Sequence, residues 1–258
     1  MNLLAALQFP PIEELLEWPS MVLKGWFAVN KVVALTWLAV ALVIFMFVVA
    51  GRRKAMVPRG IQNVVESAID FVRNDIVLQT IGPEGMRFTP LLLTLFFFIF
   101  MCNMFEVIPV IQFPPTARMA LPAFMAICVW AIFNFVGLKS QGFRGYMRSV
   151  LKPPGVPFVL LLLVVPIEFI STLIVRPFTL AVRLFANMLA GHLLLVTFEV
   201  LTATLVTAKV VFMKPIAVLP FAMLVIFIGF EILVAVLQAF IFTILAAVYI
   251  GGAMHPEH

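Results

Sequence analysis

Apolar residues run from Val32 to Ala50 without a charge, about the 20 residues a helix needs to cross a bilayer. The next apolar set behaves differently. Ile61, Val64, Val65, Ala68, Ile69, Val72 and Ile76 recur at helical spacing, with Glu66, Asp70, Arg73 and Asn74 on the other face. That pattern predicts an amphipathic helix lying in the membrane interface. Gly82 and Pro83 end it, and Pro90 to Ile111 crosses back, with Asn103 and Glu106 embedded and Pro109 near the far end. Pro114, Pro115 and Arg118 form a turn, and Met119 to Leu138 returns. From Val156 to about Thr207 the chain is almost continuously apolar, about 75 Å of helix at 1.5 Å per residue. Either two ordinary spans turn near Arg176 and Pro177, or one long helix lies strongly tilted, kinked at Pro177. Lys209, Lys214 and Pro215 close this stretch, and a last apolar run extends from Ile216 to Ile250.

Composition agrees with lipid as the main solvent: 64% of the 258 residues are hydrophobic and 11% charged, against about 25% charged in soluble domains. The first run starts too deep in the chain, and is too long, for a signal-peptide core, so it is expected to be retained. Two loops carry eight basic residues: Arg52, Arg53, Lys54, Arg59, Lys139, Arg144, Arg148 and Lys152. The opposite side has Lys24, Lys31, Arg118, Lys209 and Lys214. The positive-inside bias therefore puts the basic loops and the C-terminus in the cytoplasm of a bacterial cell, or in the matrix if the protein is mitochondrial, and the N-terminus outside. Residues 1–31, with Glu13, Glu14 and Glu17 beside Pro10 and Pro11, form an extramembrane or surface segment, and residues 32–258 a single membrane domain. Cys102 and Cys128 lie within apolar runs and are expected as buried thiols. The sequence has no Walker-type loop, no dinucleotide fingerprint and no metal-spaced Cys or His cluster. No cofactor, metal or nucleotide chemistry of its own is expected.

Seven ionisable residues interrupt the apolar runs: Glu106, Glu168, Arg176, Arg183, His192, Glu199 and Glu231. A charge at the bilayer centre costs about 2.5 to 3.5 kcal/mol even on mild insertion scales, so together they point to an ion path. Arg176 and Glu199 are equally compatible with snorkelling to the interface or stapling helices. Arg183 is different, because a guanidinium does not lose its proton and must face another protein group. Asn187 lies four residues on, near the same helical face, whereas His192, nine residues on, faces the opposite way. Glu231 and Gln238 share a face of the final run. A carboxylate and a histidine on adjacent helices make a proton relay, since histidine titrates near neutrality. A secondary transporter would show internal repeats and paired broken helices, and no repeat is evident. A non-conducting scaffold would not need His192 and Glu231.

The stretch Arg183-Leu184-Phe185-Ala186-Asn187-Met188-Leu189-Ala190-Gly191-His192, followed by Leu237-Gln238-Ala239-Phe240-Ile241-Phe242, resembles the two signatures of the F-type ATP synthase subunit a family. Asn103, Glu106 and Pro109 resemble its Asn-x-x-acid-x-x-Pro segment. The resemblance implies an all-α membrane protein of about five embedded helices plus the interfacial helix, the last two long and tilted around a ring of c subunits. It implies a static proton-channel subunit with two half-channels, not an enzyme alone, working with the c-ring, peripheral-stalk b subunits and the rest of the F1Fo complex. Arg183 would face the ring and keep the half-channels apart, with Gln238 opposite it. Asn187, His192 and Glu231 would line the outer half-channel, with Asn103 and Glu106 near its mouth. Relative to many bacterial members, His192 and Glu231 are exchanged. Glu168 and Arg176 are further candidates, although Glu168 stands one residue farther from the Arg176-Pro177 pair than in the family pattern. Each proton crossing 100 mV carries about 2.3 kcal/mol, so several are needed per ATP.

Overall fold

A computed structural model describes residues 30–52, 60–109, 111–151, 158–208, 212 and 214–254. The acidic segment around Glu13, most of the first basic cluster, Lys152 to Pro154 and Lys209 lie outside these residues. Among the described residues every regular element is helical, and five helices are long and apolar enough to cross a membrane.

Helix α1 (Lys31–Arg52) starts where the Asn30 side chain accepts the backbone N–H of Val33 at 3.0 Å, an N-cap that satisfies one orphan donor. Large apolar side chains on its outer face, Trp37 and Phe45 among them, are exposed, as expected of a lipid-facing surface. The amphipathic helix is present as α2 (Ile61–Asp70), continued by a π-helical segment, Phe71–Leu78. It packs against α1 and, through the π segment, against later helices. The buried face is not quite the expected one. Gln62, Val65, Val72, Ile76 and Val77 are buried, whereas Val64 is exposed. The wider π turns shift the phase of the helix, which brings Val77 inward beside Ile76.

Gly82, at φ 87°, permits the reversal into a short 3₁₀ turn, Pro83–Phe88, and α3 (Thr89–Met104) follows. The apolar run was expected to cross as far as Ile111, but the helix stops at Met104. Pro109 accounts for this: it removes a backbone donor, crowds the carbonyl four residues earlier, and pushes the residue before it out of helical geometry. Asn103 therefore lies in the last helical turn, and Glu106 just beyond it. The turn Pro115–Ala117 then leads into α4 (Ala120–Leu151), which breaks at Gly142 with φ 71°. Beyond that break the chain folds back. The Tyr146 hydroxyl donates to Asn134 Oδ1 at 2.9 Å, and its ring occupies the space that a side chain at Gly137 would need.

The long apolar stretch resolves in favour of one helix. Helix α5 (Phe158–Ile170) runs through a π turn, Ser171–Val175, directly into α6 (Arg176–Thr207). No tight turn forms at Arg176 and Pro177. Pro177 lies in the first turn of α6, and the widened turn before it relieves the clash of its ring with the preceding carbonyls. The apolar part covers 46 residues, about 69 Å of helix against about 30 Å of hydrocarbon, so it must incline by roughly 60° to remain in lipid. Helix α7 (Val218–Met254), of 37 residues, is similarly long. It packs against α3, α4 and α6, and its seam is made of small residues: Ala235, Ala239, Ala246 and Ala247 are all buried. Helices without a hydrophobic drive to associate in lipid gain from such close backbone approach. Gly251 also permits a close backbone approach, for an added Cβ would lie 3.0 Å from the carbonyl oxygen of Thr80.

Candidate functional site

Ionisable residues fall in sequence along the α5–α6 rod: Glu168, Arg176, Arg183, His192 and Glu199. Arg183 stands 15 residues from the first and 16 from the last, so it divides the rod nearly in half. Its side chain is exposed, and among the described residues it makes no hydrogen bond or ion pair. Large apolar side chains on the same two helices are also exposed, Phe178 on α6 and Phe230, Leu233 and Leu237 on α7. A fixed cation on a lipid-depth surface is costly unless something outside this chain meets it. Asn187, one turn on, donates through Nδ2 to Gln238 Oε1 at 2.9 Å, which ties α6 to α7 beside Arg183. Ala186 and Ala190 complete that exposed face with small side chains.

His192 turns the other way, as its nine-residue offset from Arg183 predicts. It is buried, its Nδ1 is 3.9 Å from Glu106 Oε1, and its ring meets Phe113 edge to face. Asn103 is also buried, and its Oδ1 accepts from the Thr116 hydroxyl at 2.6 Å. Glu231 on α7 is buried against the α6 backbone at Gly191, where an added Cβ would lie 2.6 Å from its carboxyl carbon. The packing explains a glycine in a helix interior, a position that otherwise costs about 1 kcal/mol relative to alanine. Three polar atoms in this region, Asn103 Nδ2, Glu106 Oε1 and Glu231 Oε2, are buried without a hydrogen-bond partner among the described residues. Orphans of this kind cost about 1 to 3 kcal/mol each, so their gathering calls for a role other than packing.

A cavity of about 60 Å³ adjoins them, lined by Glu106, Gln112, His192 and Glu199 and by apolar side chains including Pro109 and Leu224. Its polar corner and size suit a few water molecules. Gln112 Nε2 donates to Glu199 Oε1 at 3.4 Å, and both lie at the solvent-exposed edge. Gln112 adopts φ 41°, an uncommon conformation for a residue other than glycine, found most often at functional sites.

On the other side of Arg183, Glu168 Oε1 accepts from Arg176 at 3.1 Å, and the Arg176 guanidinium lies 5.6 Å from the Tyr249 ring centre. Eight residues on an α-helix leave two side chains about 80° apart. The π turn between them underwinds the rod and brings Glu168 and Arg176 to one face. Both side chains are about one-third exposed, 34% and 35%, so the pair is worth little to stability.

All nine candidate residues thus fall into three groups: Asn103, Glu106, His192 and Glu231 together; Arg183, Asn187 and Gln238 together; Glu168 with Arg176. Glu106 stands against His192 and lines the same cavity as Gln112 and Glu199. Gln112, Thr116, Gly191 and Tyr249 were not singled out by the sequence. Only Gly191 carried a signal, as a glycine in the middle of a long helix. Replacing it with alanine should push the Glu231 carboxylate off α6. The expected outcome is normal assembly with at least a severalfold loss of ion conduction, checked in reconstituted vesicles; unchanged conduction would show that the position of Glu231 is unimportant.

Among the described residues no group of three or more His, Cys, Asp or Glu could hold a metal ion. A family model described as ATP synthase A chain matches residues 33–251. An ATP synthase subunit a from Frankia alni is 47% identical over 231 residues, which is 89% of this chain and 79% of the relative. Another from Rhodococcus erythropolis is 42% identical over 98% of this chain and 94% of its own length. A third, from Maricaulis maris, is 40% identical over 86% of each chain.

Proposed function

Because this chain belongs to the ATP synthase A chain family, we propose that it is the static proton-channel subunit of an F-type ATP synthase, with Arg183 as the barrier between two aqueous half-channels. The observation that carries this reading is the arrangement along one continuous helix: an exposed Arg183 at the midpoint, without a partner among the described residues, and a polar cluster on either side of it. A proton from the side of Gln112 and Glu199 would pass through Glu106, His192 and Glu231 to a carboxylate on a c-ring subunit. Neutralised, that carboxylate can turn into lipid without the cost of a buried charge. After nearly a full turn it would release the proton on the side of Glu168, Arg176 and Tyr249, and Arg183 would pair with the carboxylate left behind. One proton enters and one leaves for each site that passes, so ion flow and rotation are coupled.

The inclined α6 and α7 would follow the curve of the ring, and Ala186 and Ala190 would let its helices approach. The peripheral-stalk b subunits are the other expected partners. The protein would lie in a bacterial plasma membrane as one membrane domain, with the N-terminus outside, the C-terminus cytoplasmic, and the Gln112 and Glu199 end outward. Homology to bacterial relatives and the basic residues Lys139, Arg144 and Arg148 support that orientation. To test the reading, membrane sectors with and without this chain are reconstituted in vesicles, and proton uptake driven by a potassium diffusion potential is followed with a pH dye. Conduction that requires this chain and no other solute is expected. Equal conduction without the chain, or flux that depends on a co-transported solute as in a transporter, would overturn it.

A further inference from the structure

A larger cavity lies away from the proton site, at the end of the molecule where α3 begins, the straight part of α4 ends and α7 ends. Its volume is about 650 Å³, in the range of small-molecule sites. Two cations, Arg87 and Lys139, and the Ser140 hydroxyl stand on its rim with one acid, Glu84. Below them the walls are apolar, with Phe88 and Ile132 partly buried and Phe135 66% exposed. This side of the rim is held in place: Ser140 Oγ and the neighbouring Gln141 Nε2 donate to the last carbonyls of α7, at Met254 and Ala253, over 3.3 and 2.8 Å. Arg87 is likewise oriented, over the Phe88 ring at 4.9 Å. Lys139 makes no hydrogen bond or ion pair among the described residues. A cationic rim over an apolar hollow, opening at the lipid-facing side of three membrane-crossing helices, has the polarity of an amphiphile with an anionic head.

We propose that this cavity binds one anionic phospholipid, its phosphate between Arg87 and Lys139 and an acyl chain along Ile132 and Phe135. Basic pockets between transmembrane helices bind anionic headgroups on this principle. The net charge of the rim, two cations against Glu84, matches a single phosphodiester. The site is independent of the proton path, since none of its residues borders His192 or Arg183.

The test uses the assembled complex in mild detergent and a photoactivatable phosphatidylglycerol. Labelling of the α4 peptide that contains Phe135 is expected, competed by unlabelled phosphatidylglycerol but not by phosphatidylcholine or inorganic phosphate. The double substitution Arg87→Gln and Lys139→Gln should weaken apparent affinity roughly thirtyfold, the usual contribution of two cations near a headgroup. If that variant fails to assemble, Ala131→Trp fills the hollow and leaves both charges in place, and should abolish labelling of this peptide. Equal competition by phosphatidylcholine, displacement by inorganic phosphate, or labelling that survives both variants would overturn the proposal. So would quantitative cross-linking of a Phe135→Cys variant to another subunit, which would identify a partner helix as the occupant.

Discussion

His192→Ala should cut proton flux by about a hundredfold or more, the lower end of what a positioned proton-transfer group contributes. His192 is the only titratable side chain on α6 that faces inward between Arg183 and the cavity, and it is within 3.9 Å of Glu106. Without the ring, Glu106 and Glu231 keep buried oxygens that have no hydrogen-bond partner among the described residues. Gln at this position separates two possible roles, because it keeps a hydrogen-bonding head but does not titrate. If His192 merely staples helices, His192→Gln should retain most of the flux. If it carries protons, His192→Gln should fail nearly as badly as alanine, while His192→Glu should retain measurable flux. The measurement is ATP-driven acidification of vesicles containing the assembled complex, with assembly checked by co-purification.

The sequence revealed the spans well because lipid imposes long, unbroken apolar runs that soluble packing does not. It also revealed Arg183, Asn187, His192 and Glu231, because charge and hydrogen bonding in such runs are expensive enough to stand out. Three things were hidden. Hydropathy could not separate one rod from two spans at Arg176 and Pro177, since proline is compatible with either a turn or a kink; the π turn that decides the matter has no sequence signature. The early end of α3 was masked by the apolar residues beyond it, although Pro109 was visible. The mouth of the cavity was hidden because Gln112 lies in a loop, where polar residues are ordinary, and only the fold brings it against Glu199 across 87 residues.

Arg183→Ala is the substitution with the largest expected effect. Its guanidinium is exposed at the midpoint of the α5–α6 rod, on an apolar surface, with no partner among the described residues and polar clusters on both sides. An arginine retained there at a cost of a few kcal/mol must recover that cost against a group on another subunit, and its permanent charge is what would block a proton from passing straight between the clusters. Asn187 and Gln238, joined at 2.9 Å, hold the helix face that presents it. A lysine keeps the charge but lacks the rigid fork, so Arg183→Lys should restore little coupled activity. The decisive measurement takes assembled complexes carrying Arg183→Ala, reconstitutes them in vesicles, and records both ATP-driven proton pumping and passive proton leak through the membrane sector. The expected result is loss of pumping to background with leak that persists or rises. Normal pumping, or loss of both pumping and leak in a fully assembled complex, would contradict the assignment of Arg183 as the barrier between two half-channels.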